Sequence, residues 1–266
     1  MEEKIDQHGL KSLFIVSPNN PTGFQLSPDE FRDICQLCRR KDVTLIVDAT
    51  FRFYSKQTYD SYQTLKDTSV DFIVIEDTGK TWPTQDMKVS LMAYSEPLAK
   101  DLRLLYEEFY LCTSNFSLAL LSKLIDETHK VGLDKIVWQE VEKRTARVES
   151  AIANTPLKLV KNDRDCTLPV AWIDCSKTGM TDVEILEKLR PHNIAVLPGR
   201  FFFWNSQQQH TDRIRISLMK PDDVFYKGVD VLERTLPQVF GATNAPSPTT
   251  PQGVAANPIV KKNDLG

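Results

Sequence analysis

Three short apolar runs in the first third of the chain are continuously hydrophobic rather than alternating. They span residues 11–17, 43–49 and 71–77 and are rich in Val, Ile and Phe. Strands of a parallel sheet that is covered on both faces have this composition. The runs therefore predict three buried strands, and the breaker-rich sequence that follows the first of them predicts a tight turn.

A helix start lies between the first two runs. Ser27-Pro28-Asp29-Glu30 offers a Ser at the N-cap, a Pro at the first helical position and a Glu three residues after the cap. Phe31, Ile34, Leu37 and Cys38 follow at helical spacing. The order strand, helix, strand, connection, strand indicates an α/β fold.

The rest of the chain changes character. We expect a strand at 88–95, then helices from 96 to about 110 and from 117 to about 153, the longer one interrupted near Gly132. The later pattern predicts strands at 170–175, 194–197 and 213–219 and helices at 182–190 and 222–239. We therefore divide the chain into a core domain at 1–155, a small α+β domain at 156–240 and a disordered tail at 241–266.

Composition narrows the class of protein. The 266 residues include 33 Lys and Arg against 36 Asp and Glu, a net charge of −3, and no basic stretch long enough to follow a phosphate backbone. Nucleic acid is therefore not expected as a partner. No window approaches the roughly 18 apolar residues of a membrane span, and the acidic start lacks an apolar leader segment. These features favour a protein of the cytoplasm with no membrane partner.

The five cysteines do not indicate a metal or a disulfide framework. Their number is odd and they are scattered, which suits a reducing compartment. Cys35 and Cys38 form a CxxC that a zinc or redox site would also show, but it falls within the predicted helix, and no second CxxC or nearby His accompanies it. We interpret the pair as ordinary helix residues and expect no metal.

Polar residues recur where the predicted strands end. Asn20 follows the first strand, Asp48 ends the second, and Asp77 and Lys80 end the third. Open α/β sheets bind ligands at the carboxyl ends of their strands. Taken singly, each residue has a simpler explanation as a turn residue, a cap or a solvated lysine.

Together these residues match a specific pattern. Pro18-Asn19-Asn20-Pro21-Thr22-Gly23, Asp48, Lys80 in an Asp-Thr-Gly-Lys turn, and Arg215 in Arg-Ile-Ser-Leu resemble, in order and spacing, the class I/II aminotransferases. These are fold-type I pyridoxal-phosphate enzymes, and the resemblance covers about residues 11–239. It implies a mostly parallel sheet with helices on both faces, a small C-terminal domain, and pyridoxal 5'-phosphate as cofactor.

The resemblance also implies a role for each residue. Lys80 forms the Schiff base with the cofactor and then moves a proton at the substrate α-carbon. Asp48 faces the pyridine nitrogen, and Asn20 donates to the phenolic oxygen of the ring. Arg215 binds the substrate α-carboxylate, with Arg213 on the same strand as the residue that could be confused with it. Thr78 and Lys88 correspond to phosphate ligands.

Some positions depart from the family pattern. Phe51 stands where many members have a Tyr, Asp77 and Gly79 stand where members have hydroxyl residues, and Lys88 replaces an Arg. A carboxylate next to a phosphate is repelled, so Asp77 either caps the turn or pairs with a cationic substrate side chain. The sequence around it is similar to the branch of the family that acts on L-arginine, which includes oxidases, hydroxylases and capreomycidine-type cyclases.

Only ten residues precede the first strand, whereas family members carry a long segment there that supplies the phosphate loop and the residue stacked on the ring. We therefore expect a truncated or split enzyme that works as a homodimer or pairs with the missing N-terminal segment. Three functions stay open. They are an aminotransferase-like enzyme for an L-amino acid, an oxidase, hydroxylase or cyclase of arginine, and a non-catalytic protein of the same fold.

Overall fold

A computed structural model describes residues 1–57, 59–87, 89–162 and 164–241. Its first half contains a four-stranded sheet in the order β1-β2-β3-β4. The strands are β1 Ser12–Val16, β2 Thr44–Asp48, β3 Phe72–Asp77 and β4 Ser90–Tyr94. The first three are parallel and β4 is antiparallel to β3. This mostly parallel α/β arrangement confirms the predicted fold class.

Five helices accompany this sheet. They are α1 Glu2–His8, α2 Pro28–Lys41, α3 Ser61–Thr68, α4 Ala99–Phe109 and α5 Asn115–Val131. The predicted start of α2 is confirmed by a complete capping box. The Glu30 backbone N–H donates to the Ser27 hydroxyl at 3.2 Å, and the Ser27 N–H donates to the Glu30 carboxylate at 2.7 Å. Both groups satisfy N–H donors that the first turn leaves without helical partners.

The two faces of the first sheet differ in burial. One face, called here the covered face, packs into a hydrophobic core with α2 and α3. The residues that pack there are Leu13, Ile15, Leu45, Val47, Phe72, Val74 and Ala93, and the register also puts the buried Glu76 and the 44% exposed Leu91 on this face. The opposite face, called here the open face, is made of Phe14, Val16, Ile46, Asp48, Ile73, Ile75, Asp77, Met92 and Tyr94. None of these open-face side chains belongs to a core cluster of the described residues.

A second four-stranded sheet, in the order β5-β6-β8-β7, lies in the second half of the chain. Its strands are β5 Lys158–Leu159, β6 Val170–Asp174, β7 Leu197–Pro198 and β8 Arg213–Ser217, and all neighbours are antiparallel. The helices α6 Gln139–Ile152, α7 Asp182–Leu189 and α8 Asp222–Phe240 pack against it in one core. A short π-helical segment, Asp134–Trp138, leads into α6.

The long helical stretch is interrupted at Gly132, as predicted, because this residue has a φ of +98°. The prediction of a strand at 194–197 is wrong for most of its length, since only Leu197 and Pro198 pair with β8. Asn193, in the left-handed conformation, directs the chain before that point. The division at residue 155 stays a prediction, and the tail from residue 242 lies outside the described residues. No helix among the described residues is long and apolar enough to cross a membrane.

Candidate active site

Four of the predicted site residues, Asn20, Asp48, Asp77 and Lys80, lie at or just after the carboxyl ends of strands of the first sheet. Because β1, β2 and β3 are parallel, their carboxyl ends lie at the same edge. The turn after β1 is held to β2 by a bond from the Ser17 N–H to the Asp48 carbonyl oxygen at 3.1 Å. The turn closes at Gly23, where a φ of +70° favours glycine. Asn20 lies within this turn.

Asp48 lies half-buried at the carboxyl end of β2, on the open face. Its Oδ1 accepts a hydrogen bond from the Thr50 N–H at 3.0 Å, which fixes the side chain against the following turn. A carboxylate held in this way can present its second oxygen to a cationic or protonated ligand group on the open face.

Lys80 and Asp77 lie together at the end of β3. The Asp77 Oδ1 accepts from the Gly79 N–H at 2.9 Å, so this carboxylate does cap the turn, and its Oδ2 lies 3.3 Å from the Lys80 Nζ. Both side chains are 39% exposed. The Tyr54 hydroxyl donates to the Lys80 carbonyl oxygen, which anchors the backbone of the turn from the neighbouring segment. The lysine amine is therefore accessible and has one carboxylate beside it.

Arg215 reaches this edge from the second sheet. It lies on β8 between Trp172 of β6 and Leu197 of β7, and its Nη1 donates to the Asn20 Oδ1 at 3.1 Å. Its Nε is buried with no hydrogen-bond partner among the described residues, and burial lowers the pKa of this guanidinium. A half-buried cation with an unsatisfied donor is suited to bind an anion.

Ion pairs distinguish the two candidate arginines on β8, Arg215 and Arg213. The Arg213 guanidinium lies 3.1 Å from the Asp174 carboxylate and 2.5 Å from that of Asp212. No carboxylate of the described residues forms an ion pair with Arg215. Of the two arginines, Arg215 is therefore the one whose charge is available to a ligand.

Of the two predicted phosphate ligands, Thr78 and Lys88, the structure describes only Thr78. The Thr78 hydroxyl is buried, donates to the Val89 carbonyl oxygen and lies 3.2 Å from the Thr84 hydroxyl. Its single O–H is thus committed within the fold, which leaves none to donate to a phosphate. Lys88 lies outside the described residues, so its assignment stays a prediction.

The contacts that hold the site residues in place had no signal in the sequence. Asn20 and Arg215 are 195 residues apart, and Tyr54 meets Lys80 across 26 residues. Phe202, whose ring lies 5.2 Å from the Arg215 guanidinium, belongs to the run Phe-Phe-Phe-Trp, an aromatic cluster that could have drawn attention. The remaining contacts depend on the tertiary fold alone.

Two other features lie apart from this edge. A cleft of about 280 Å³ borders the turn after β1 and is lined by Pro21, Gly23, Asn162 and Trp172, among others, but not by Asp48, Asp77 or Lys80. Among the described residues, no group of three or more His, Cys, Asp or Glu side chains is arranged to hold a metal. Cys35 and Cys38 are both buried on α2, and burial raises the pKa of Cys35 to about 12.

Comparison with known proteins identifies the family of this chain. Residues 1–226 match the family described as aminotransferase class I and II. The chain therefore belongs to the class I and II aminotransferase family. It is 24% identical over 228 residues to the probable N-acetyl-LL-diaminopimelate aminotransferase of Bacillus subtilis, covering 84% of this chain and 54% of that protein.

Two solved structures extend the comparison. The structure of MppP soaked with the product 2-ketoarginine is 28% identical, with a TM-score of 0.77 over 85% of this chain and 63% of that one. A PLP-bound putative aminotransferase from Clostridium difficile 630 is 19% identical, with a TM-score of 0.72 over 89% of this chain and 61% of that one, which shows a shared fold. The chain thus spans about half to two thirds of the length of these relatives.

Proposed function

We propose that this chain forms the catalytic core of a pyridoxal-phosphate-dependent, aminotransferase-like enzyme. It acts on an L-amino acid, with Lys80 as the reactive lysine. The observation that carries the proposal is Arg215, a half-buried cation that has no carboxylate partner within the described part of the chain and that contacts Asn20 at the edge where Lys80 lies. An amino acid bound there through its carboxylate would direct its α-carbon toward that edge.

The residues at the edge fit the cofactor in part. A carboxylate at Asp48 suits a protonated pyridine nitrogen, an amide at Asn20 suits the phenolic oxygen, and Lys80 supplies an accessible amine. The Asn20 Oδ1 already accepts from Arg215, so its Nδ2 group is the part that can donate to the ring. For the phosphate we retain Lys88 and withdraw Thr78 as a hydroxyl donor, because the Thr78 hydroxyl is committed to Val89.

Bound at this edge, pyridoxal phosphate supplies the electron sink for bonds broken at the α-carbon. The chain supplies position and proton transfer. Arg215 orients the substrate by binding the substrate carboxylate. The Asp48 carboxylate would stabilise the positive charge of the protonated pyridine nitrogen, and Lys80 carries the proton to and from the α-carbon. Tyr54 holds the Lys80 backbone in place while the side chain moves.

The contacts of Asp77 favour a substrate with a cationic side chain. Its Oδ1 caps the turn, and its Oδ2 has Lys80 as cationic partner at 3.3 Å. When the Lys80 amine is engaged elsewhere, that oxygen loses its counter-charge and can accept a guanidinium or ammonium group. Together with the similarity to MppP, whose structure was solved after soaking with the product 2-ketoarginine, this favours L-arginine as the first substrate to test.

The test of the lysine is chemical trapping. The purified protein is mixed with pyridoxal phosphate, reduced with borohydride and digested, and the modified peptide is located by mass spectrometry. We expect the adduct on Lys80, absent in Lys80→Ala and present in Lys66→Ala, a variant of an exposed lysine on α3. An adduct distributed over many surface lysines, or unchanged in Lys80→Ala, would refute the assignment.

The substrate is tested with Asp77→Asn. This variant keeps an oxygen that can accept from Gly79 and removes the charge. Turnover of L-arginine should fall by about tenfold or more relative to L-citrulline, its uncharged isostere. An equal loss for both substrates would mean that Asp77 serves the turn alone.

The same assays distinguish the proposed function from two alternatives. Consumption of dioxygen in place of a keto acid would identify an oxidase or hydroxylase of arginine, whereas formation of a cyclic product without consumption of either would identify a cyclase. Failure to retain cofactor would favour a non-catalytic protein of this fold.

We also propose that a partner subunit or a further segment of the family fold completes the open face. We propose in addition that the protein works in the cytoplasm, where five free cysteines are stable.

A further inference from the structure

A buried ion pair fixes the loop that follows β7. Asp182, at the first position of α7, is fully buried. Its carboxylate accepts three hydrogen bonds from Arg200, from the backbone N–H at 3.0 Å, from Nε at 2.8 Å and from Nη2 at 2.6 Å. This is a fully paired buried carboxylate, which holds both the backbone and the side chain of Arg200 in one position.

The same loop approaches β8 closely. A Cβ added at Gly199 would lie 2.5 Å from the Arg213 carbonyl oxygen and 2.8 Å from the Trp172 ring. The loop is thus held from two sides, by Asp182 at Arg200 and by close approach at Gly199. Its helical turn, Gly199–Phe202, has little freedom to move away from the strand.

The loop places one aromatic ring on Arg215. The Phe202 ring packs edge-on against Trp172, with centroids 5.7 Å apart, and lies 5.2 Å from the Arg215 guanidinium carbon. Its neighbours behave differently, since Phe201 is 51% and Trp204 is 88% exposed. Phe202 is therefore the aromatic residue of the run that the fold directs at the arginine.

We propose that Phe202 is a positioning residue for the substrate carboxylate, held in place by the Asp182–Arg200 pair. The Arg215 guanidinium carbon lies over the Phe202 ring, so the ring occupies one side of the guanidinium and ligands reach it from the others. This fixes the plane in which a carboxylate binds and favours substrates that carry one. The inference rests on the proposed function only for the identity of the ligand, because the contact of Phe202 with Arg215 exists without it.

The contact is tested without cofactor or turnover. Phenylglyoxal labels accessible arginines, and peptide mapping follows Arg215 by itself. We expect Phe202→Leu to label at Arg215 about tenfold faster than the wild type. Phe202→Tyr, which keeps the ring, should restore the slow rate, and Phe201→Leu, which changes the exposed neighbour, should leave it unchanged. An unchanged rate in Phe202→Leu, or an equal rise in Phe201→Leu, would overturn the proposal.

The effect on the ligand is tested by protection. L-citrulline, whose ureido group does not react with phenylglyoxal, should protect Arg215 in the wild type, and N-carbamoylputrescine, which lacks only the carboxylate of L-citrulline, should not. In Phe202→Leu the concentration of L-citrulline needed for protection should rise about tenfold, with rescue in Phe202→Tyr. Equal protection by the two ligands in the wild type would overturn the carboxylate role. A protein that fails to trap pyridoxal phosphate on Lys80 but shows these shifts would refute the proposed function and leave the positioning role intact.

Discussion

The two faces of the first sheet are made of the same kinds of residues but are packed very differently. On the covered face, Leu45 is fully buried and Val47 and Val74 are each 4% exposed. On the open face, Phe14 is 56% and Met92 is 44% exposed. Each strand thus presents an apolar side chain to a packed core on one side and to a half-exposed surface on the other.

The difference separates stability from ligand binding. The covered face holds the sheet together through α2 and α3. Its one carboxylate, Glu76, forms an ion pair with Arg52 and accepts a hydrogen bond from the Tyr62 hydroxyl, at 2.5 Å each. The open face carries Asp48 and Asp77, whose second oxygens have no partner among the described residues other than Lys80. The proposed site residues therefore lie on the face with the weaker packing.

Truncation of core side chains should show the largest contrast. Leu45→Ala on the covered face should lower the free energy of unfolding by about 3 kcal/mol, because it opens a cavity in a packed core. Phe14→Ala on the open face should lower it by about 1 kcal/mol or less. Urea denaturation followed by circular dichroism measures both.

The same pair of variants can break the comparison. A loss for Phe14→Ala as large as that for Leu45→Ala would mean that the open face is packed in solution. If that loss grows with protein concentration, a second copy of the chain covers the face, and light scattering would then report a dimer.

Removal of charge should show the next contrast. Arg52→Met should cost about 2–3 kcal/mol of unfolding free energy, because it leaves the buried Glu76 carboxylate with the Tyr62 hydroxyl as its remaining partner. Asp48→Asn, on the open face, should change the free energy by less than about 0.5 kcal/mol but weaken the retention of pyridoxal phosphate. Stability loss in Asp48→Asn equal to that in Arg52→Met would contradict the separation of the two faces.

Local features of the sequence predicted much of this fold. The apolar runs locate β1, β2 and β3 to within a residue or two at each end, and Ser27 and Glu30 fix the start of α2, because these signals act over a few residues. The positions of Asn20, Asp48 and Lys80 at strand ends follow from the same runs. Strand composition alone, however, predicts cover on both faces, whereas Phe14 and Met92 on the open face are 56% and 44% exposed.

Long-range contacts account for what the sequence could not predict. The commitment of the Thr78 hydroxyl to Val89 depends on how β4 returns beside β3. The pairing of Arg213, and not Arg215, with Asp174 depends on the register of β8 against β6. A one-residue change of register reverses which side chains share a face, and no local pattern on β8 specifies it.

The smallest effect concerns the first turn of α2, the helix that covers the sheet. The Ser27 backbone N–H and then the Arg164 guanidinium lower the pKa of Glu30 from its usual 4.5. A carboxylate whose pKa is depressed in the folded state stabilises the fold above its unfolded pKa, and this contribution is lost as the pH falls through the folded value.

Glu30→Gln keeps an oxygen acceptor for the capping box and removes the charge. Its urea midpoint should lie slightly below that of the wild type near neutral pH, and the two should converge as the pH falls below 4.5. Arg164→Met should reduce the difference near neutral pH, since Arg164 contacts Glu30 at 3.0 and 3.2 Å. A gap that widens on acidification would show that the Glu30 charge does not stabilise the end of α2.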